Sequence, residues 1–392
     1  LHCHGGPAVV RSVAAALSSL PNIRPAEPGE FTKRAFQLGR LDLTEVEGVA
    51  DLLAADTEAQ RVQALAAAGG AARRQCEIWR KTLIKCLAHV EAVIDFGEDE
   101  EIADEVAAAV IPIVSNLTND LERHLAAAAG GEVVRQGIRV VLLGAPNAGK
   151  SSLLNALAGR NAAIVADVPG TTRDLLEVVL DLNGYKVIVV DGAGVRESSD
   201  PVEVEGVRRS RAAAESAHII VSMREPQGQF IQEREKEEEF LNKNTSWFPK
   251  VVVPVLNKID LADDVMMNSS DDSGVLGISC RTGHGLSALT AHLSEKVKEI
   301  IMKHSSMMEA VDNGGALKTN SGVVVPLLNR ERHKHHVFEC VAALERYQLA
   351  PLRLEVAAEE LRAAATALGR VVGAIDTEAV LDNIFSEFCI GK

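Results

Sequence analysis

Apolar residues recur with two different periods along this chain of 392 residues. From residue 41 to about 129 they fall at helical spacing, and stretches such as 45–68 and 78–94 lack internal proline, which predicts amphipathic helices. From 137 to about 303, short continuous apolar runs at 140–143, 187–190, 218–221 and 251–256 alternate with helical stretches. That alternation predicts a mostly parallel sheet flanked by helices. Gly130-Gly131 separates the two regions, and after Asn313-Gly314-Gly315 helical spacing resumes at 332–344 and 353–372. Residues 1 to about 40 mix short apolar runs with glycine and proline, as in Pro25-Ala26-Glu27-Pro28-Gly29-Glu30. Helical sequence on both sides of an α/β unit suggests one helical domain interrupted by an insert, because each half alone would expose an apolar face. Two unrelated helical flanks are the other reading.

Chemistry enters where the first of the strand-like runs ends. Gly144-Ala145-Pro146-Asn147-Ala148-Gly149-Lys150-Ser151-Ser152 follow the run 138–143 and open the helix-like run 153–158. This is the context of a P-loop, whose backbone N–H groups wrap phosphates, with Lys150 reaching the β/γ oxygens and Ser151 ligating Mg²⁺. Asn257-Lys258-Ile259-Asp260 follows the run 251–256 and points to guanine. Asp260 can accept from N1–H and the 2-amino group while Asn257 reads the purine's other edge; adenine offers neither donor and would leave the carboxylate unpaired. Ser279-Cys280-Arg281 resembles the last guanine-contacting loop.

Between these motifs lie two candidate switch segments. In Pro169-Gly170-Thr171-Thr172-Arg173-Asp174, Thr172 can present its hydroxyl to Mg²⁺ when a γ-phosphate is present. In Asp191-Gly192-Ala193-Gly194, Asp191 can hold a Mg²⁺-bound water and the Gly194 N–H can sense the γ-phosphate. The next residue is Val195, which cannot orient an attacking water, so another polar group is required. Glu197, Asp200, Glu203 and Glu205 are the acidic candidates, and a second such domain or a bound cation could supply the missing positive charge. In order and at these spacings the motifs predict a GTPase domain.

The formal net charge of −14 argues against a surface that binds polyanions indiscriminately; any RNA contact needs a local basic patch. Acidic runs at 98–101 and 233–239 read as solvated helix faces. Six scattered cysteines show no CxxC pair or zinc spacing, which fits a reducing compartment. His2-Cys3-His4 lacks a convincing metal set. No apolar run approaches the roughly 18 to 20 residues that span a bilayer. The chain opens without methionine, so an upstream segment, and any targeting peptide with it, is expected to be absent.

His4-Gly5-Gly6-Pro7, Pro28-Gly29-Glu30-Phe31 with Arg34-Ala35-Phe36, Leu41-Asp42-Leu43-Thr44-Glu45 and the terminal Phe385-Ser386-Glu387-Phe388-Cys389-Ile390-Gly391-Lys392 join the GTPase motifs in one resemblance. The chain resembles the MnmE (TrmE) family of tRNA-modifying GTPases, along essentially its whole length. The resemblance implies an α/β plus all-α protein: a Ras-like P-loop GTPase domain inserted in a discontinuous helical domain, preceded by the remnant of an α+β folate-binding domain. The implied boundaries are 1–40 for the folate-binding and dimerisation remnant, 41–136 and 304–392 for the helical domain, and 137–303 for the GTPase domain. The implied activity is GTP hydrolysis in C5 modification of the tRNA wobble uridine, of carboxymethylaminomethyl or taurinomethyl type, with tRNA, an MnmG-type flavoprotein using FAD and NADH, and a second copy of the chain as partners. A one-carbon unit from tetrahydrofolate and an amine build the substituent. No membrane is involved; a bacterial source implies the cytoplasm and a eukaryotic one the mitochondrion or plastid.

By the same resemblance Glu203 orients the attacking water. K⁺ between paired GTPase domains takes the part of an arginine finger, held by Asn147 and by oxygens of Ala166, Val168 and Thr171. Ala166 departs from the family's usual threonine or serine and offers only its backbone carbonyl. Gly192 replaces the usual threonine, which is expected to loosen the switch. Arg40, where many members have lysine, and Lys392 belong to the folate site, whose upstream arginine and glutamate would lie before Leu1, so weak folate binding is expected. Cys389 is the implied reactive thiol of the modification step. The stretch from Arg330 to His336 reads as a solvated basic face, with contact to tRNA phosphate as the sharper alternative. The competing function is a ribosome-assembly or regulatory GTPase that binds rRNA through an appendage after the GTPase domain.

Overall fold

The computed structural model describes residues 2–96, 100–145, 147–160, 163–164, 177–192, 212–226, 250–261, 275–305, 316–318, 324–326, 328–349 and 353–373. The chain forms two compact units, one of residues 1–54, 63–125 and 330–392, the other of 55–62 and 126–329.

The second unit is built on a seven-stranded sheet. Its strands are β1 (Ile138–Gly144), β2 (Ala163–Ile164), β3 (Glu177–Leu182), β4 (Tyr185–Asp191), β5 (Ile219–Arg224), β6 (Val251–Leu256) and β7 (Leu276–Gly277), in the order β2-β3-β4-β1-β5-β6-β7. From β4 to β7 all pairs are parallel, while β2 and β3 add an antiparallel edge. The β3–β4 hairpin turns at Asn183-Gly184, both left-handed at φ 56° and 86°, the pair a two-residue turn of this twist requires. β1 is continuously apolar from Val140 to Leu143 because both its faces are covered there: Ile138, Val140 and Leu142 pack into one core, Val141 and Leu143 into another with Val190 and Ile220. The helix Leu286–Ser305 buries Leu286, Leu289, Leu293, Val297 and Ile301, a single stripe at helical spacing.

In the first unit the helix Leu354–Val371 packs against both Glu331–Leu349 and Ala71–Phe96, so sequence from either end of the chain shares one core. Trp79, Leu83, Cys86 and Val90 are buried on Ala71–Phe96, Val337, Cys340 and Leu344 on Glu331–Leu349, and Leu361 and Leu368 on Leu354–Val371, where buried Ala357, Ala358, Ala364 and Ala367 let the axes approach closely with few aromatics. Trp79 Nε1 donates to Asp120 Oδ2 at 2.7 Å and meets the buried His124 ring edge to face. Cys76 and Cys340 are free, and burial pushes both thiols up to about 12, so neither is reactive. Among the described residues no helix is long and apolar enough to cross a membrane.

Three expectations need correction. The helical run 45–68 is broken into Leu43–Leu53 and Glu58–Ala68, because Thr57-Glu58-Ala59-Gln60 is a capping-box sequence; Gln60 Oε1 accepts from the Asp56 N–H at 2.9 Å. Gly48 then lets the first helix meet the second, since a Cβ there would lie 2.7 Å from the Ala67 carbonyl carbon. Gly130-Gly131 does not end a helix, for Glu100–Gln136 runs through it. Gly131 is needed for close approach instead: a Cβ would come 2.9 Å from Leu328 O.

The third correction concerns Arg330 to His336, which is not a solvated basic face. Arg330 pairs with Asp51 at 2.7 Å, and Lys334 pairs with Glu331. The Arg332 fork holds Glu47 (3.1 and 3.0 Å) and reaches the carbonyls of Arg370 and Val371, both at 2.9 Å. Buried His333 donates from Nε2 to Glu47 Oε2 at 2.7 Å, leaving Nδ1 without a partner among the described residues. Burial opposes the charge on Glu47, but His333 and Arg332 beside it hold the carboxyl well below the usual carboxylate range. Burial likewise pushes His333 down, against the pull of Glu47, so the neutral Nε2–H tautomer is the one this site keeps.

Removing Glu47 leaves the Arg332 guanidinium without its counter-ion and the buried His333 N–H without an acceptor, so Glu47→Ala should cost about 3–5 kcal/mol in urea unfolding followed by circular dichroism. The pH dependence has one sign. Glu47, with a depressed pKa, stabilises the fold above about pH 4.3 and loses that contribution as pH falls; His333, also depressed, costs stability once pH drops below about 6.5. Stability should therefore decline from near pH 6.5 downward, and His333→Gln, which keeps a donor but does not titrate, should remove the upper part of that decline.

Candidate nucleotide-binding site

The P-loop grows from the C-terminal end of β1. Gly144 (φ 151°) ends the strand where a Cβ would collide with the Met223 carbonyl of β5. Asn147 (φ 69°) and Gly149 (φ 92°) are left-handed, and the helix Lys150–Arg160 begins directly after, with Leu153 N–H donating to Gly149 O at 2.8 Å. Ala148 is fully buried, whereas Asn147, Ser151 and Ser152 are exposed at the mouth of the loop. Lys150 Nζ bonds the Gly144 and Ala145 carbonyls at 3.1 and 3.0 Å. Burial pushes its pKa down, partly offset by Asp191. Ser151 Oγ donates to Asp191 Oδ2, which joins the first residue of the switch motif to the loop. A hydroxyl and a carboxylate, both hard oxygen donors at a helix N-terminus, fit Mg²⁺.

Beyond β6, Asn257 is 1 % exposed and bonded at both ends of its amide. Nδ2 donates to Ala148 O at 2.8 Å, and Oδ1 accepts from the Cys280 N–H at 3.3 Å. A Cβ on Gly149 would collide with that same Nδ2. Lys258 is left-handed (φ 63°) and its Nζ meets Glu225 Oε1 at 2.7 Å. Asp260 accepts from Ser279 Oγ at 2.7 Å and faces Arg281 Nε at 3.3 Å. The Ser279 hydroxyl first, then Arg281 and Lys258, hold its carboxyl below the ordinary value. The Cys280 thiol is pushed up by burial, so its backbone N–H is the group this loop offers. The loop closes through Gly285 (φ 72°), whose missing side chain admits the Gly277 carbonyl.

Residues 43–389 match the family described as the MnmE helical domain, and residues 1–40 match the GTP-binding protein TrmE N-terminus. The tRNA modification GTPase MnmE of Parvibaculum lavamentivorans is 44% identical over 100% of this chain and 82% of its own length. The chain belongs to the MnmE family. The Rhodospirillum rubrum MnmE is also 44% identical, covering all of this chain and 80% of its own length. The mitochondrial 5-taurinomethyluridine-[tRNA] synthase subunit GTPB3 of Rattus norvegicus is 42% identical over all of this chain and 77% of its own length.

Against the MnmE pattern, the structure brings together Ala148, Gly149, Lys150, Ser151, Asp191, Asn257, Lys258, Asp260, Ser279, Cys280 and Arg281 in the second unit. Arg40 is exposed in the first. Thr171, Thr172, Gly194, Glu203, Cys389 and Lys392, with Ala166 and Val168, lie outside the described residues. Two site features escaped the sequence reading. Glu225, just past the end of β5, is the partner of Lys258, and Asn257 fastens the P-loop to the Ser279–Cys280 loop; the asparagine's type was a signal, but its partners were not.

Gly192 sits where the backbone leaves no room for a side chain. Its N–H donates to Leu142 O at 3.1 Å, and a Cβ would lie 2.6 Å from that oxygen and 3.0 Å from Leu143 Cδ2. Gly192→Thr, which adds a side chain where this backbone leaves no room, should therefore destabilise this chain by about 1–3 kcal/mol in thermal unfolding. Asn257→Ala unties two loops and should weaken GDP binding by about 10- to 100-fold in a fluorescence titration.

Proposed function

We propose that this chain hydrolyses GTP to drive C5 modification of the tRNA wobble uridine, of carboxymethylaminomethyl or taurinomethyl type. The observation that carries the reading is the Asn257 amide, which fixes the P-loop against Asp260's neighbourhood, so phosphate and guanine ends are held at one spacing. Phosphate oxygens offer Lys150 full negative charge in place of two carbonyls of its own loop. Ser151 and Asp191, with Thr172, would hold the Mg²⁺ that neutralises charge on the β/γ oxygens. Glu203 orients the attacking water in place of Val195. Asn147, Thr171 and the backbone oxygens of Ala166 and Val168 would hold K⁺ where two such domains pair.

The domain plan we infer is a GTPase domain at 137–303 inserted between helical segments 41–136 and 304–392, after a folate-binding and dimerisation remnant at 1–40. Its support is the shared packing of Ala71–Phe96, Glu331–Leu349 and Leu354–Val371. The chain leaves the last of these helices at Gly373, where a Cβ would press on Leu43 Cβ at 2.8 Å, and Val372 O accepts from the Leu43 N–H at 3.2 Å. Gly373, the last described residue before Cys389 and Lys392, thus lies beside residues that follow Arg40, which supports a thiol working near a bound tetrahydrofolate. tRNA, an MnmG-type FAD-dependent flavoprotein and a second copy are the partners; the compartment is the bacterial cytoplasm or the mitochondrion or plastid. Among the described residues the α/β segment is followed chiefly by the two helices Glu331–Leu349 and Leu354–Val371, packed with Ala71–Phe96, which favours this reading over a ribosome-assembly GTPase.

Two variants separate its parts. Glu203→Ala should bind GTP near-normally and lose at least about 100-fold in turnover, measured as phosphate release; unchanged turnover would move water positioning elsewhere. Cys389→Ser should hydrolyse GTP normally yet leave wobble uridine unmodified in a reconstituted assay with the flavoprotein. Normal modification would sink the thiol assignment.

A further inference from the structure

Both carboxylate oxygens of Asp260 are engaged in the structure. Ser279 Oγ donates to Oδ1 at 2.7 Å, Arg281 Nε lies 3.3 Å from Oδ2, and the Asp260 side chain is left only 14% exposed. The two partners are held very differently. Ser279 is 0% exposed and its oxygen also accepts from the Thr282 N–H at 3.2 Å, so it is fixed beneath the carboxylate. Arg281 reaches over the carboxylate on a side chain that is 78% exposed. A guanine needs both oxygens at once, one for N1–H and one for the 2-amino group.

We propose that Arg281 is a specificity-tuning placeholder: it occupies Oδ2 of Asp260 before nucleotide binds and swings into solvent when the guanine 2-amino group takes that oxygen. The inference rests on the guanine reading of this site given above. The exchange has a physical logic. A carboxylate at the mouth of the base pocket is steadied by a nearby cation, so the ion pair keeps the loop ordered while it waits. The same cation must be easy to displace, and an ion pair with one exposed partner is weak enough for that. Ser279 cannot serve as placeholder, because it is buried and has no solvent to move into.

Hypoxanthine separates this role from a general structural one. It keeps N1–H but lacks the 2-amino group, so IDP needs one oxygen of Asp260 and leaves the other to Arg281. GDP binds against the loss of the ion pair and IDP does not. Arg281 therefore narrows the preference for guanine over hypoxanthine, and removing it widens that preference.

The test is competition binding of GDP, IDP and ADP to the full chain, for wild type, Arg281→Ala and Arg281→Lys, at low and high salt. Arg281→Ala should bind GDP about two- to fivefold more tightly, the range an exposed ion pair allows, with IDP changed by less than about twofold. High salt should give wild type part of the same gain by screening the pair, and Arg281→Lys, with charge but no planar fork, should fall between. Equal shifts for GDP and IDP would overturn the proposal. So would weaker GDP binding by Arg281→Ala, which would put the guanidinium on the nucleotide itself. A wild type that does not prefer GDP over ADP would remove the guanine reading first, and the placeholder with it.

Discussion

The side-chain amide of Asn257 is bonded at both ends to backbone, to the carbonyl of Ala148 and the N–H of Cys280, and it is shut off from water. Loops following β1, β6 and β7 are therefore obliged to keep one mutual geometry. Much else follows from that obligation. Gly149 has to be glycine, because any Cβ would enter the space of Nδ2. Ala148 has to be small and buried, and the left-handed turns at Asn147 and Lys258 are tolerated because each adjoins a buried residue that fixes it, Ala148 for the first and Asn257 for the second. A phosphate cradle and a base pocket built separately would tolerate drift in their spacing; joined through a buried amide, they cannot drift without breaking bonds that have no water to replace them.

Glu47 has the same standing in the helical unit. It collects Arg332 and His333 from the far end of the sequence, and Arg332 in turn holds the last carbonyls of Leu354–Val371. Orphaned carbonyls at a helix end need a partner, and here a charged fork supplies it. The Asp42–Glu45 capping box starts the helix that carries Glu47, with both of its bonds at 2.7 Å. The Leu41 to Glu45 motif is thus, physically, a helix start placed so that its fifth residue precedes a buried carboxylate by two.

How much of this could be read from sequence varied with the reach of the interaction. The four central strands β4, β1, β5 and β6 were legible because strands covered on both faces show continuous apolar runs, and the P-loop because its spacing and flanks are local, whereas the outer strands β2, β3 and β7 carry no such run and were not read. The break at 54–57 was locally encoded too, in Thr57 and Gln60, but the apolar period across it masked the cap. Gly130-Gly131 looked like punctuation; its purpose is set by residues about 200 positions later, which no local pattern carries. The guanine triplets were legible as types, whereas the fastening of Ala148 to Asn257 joins residues 109 apart, and the Lys258–Glu225 pair joins two loops.

The fate of the Arg330 to His336 cluster bears on how such an acidic protein could meet RNA. A run of cations in sequence is a patch only if its charges point outward with no counter-ions of their own. Here Asp51, Glu47 and Glu331 take up the charge of Arg330, Arg332 and Lys334 within the unit itself, at 2.5 to 3.0 Å. Recruiting Arg332 for phosphate would strand Glu47 in the core, at a cost well above what one phosphate contact returns in physiological salt. With a net charge of −14 the long-range field is also unfavourable. Any productive contact with a polyanion must then come from a surface assembled by the tertiary fold or by a partner, not from the most basic stretch of the sequence.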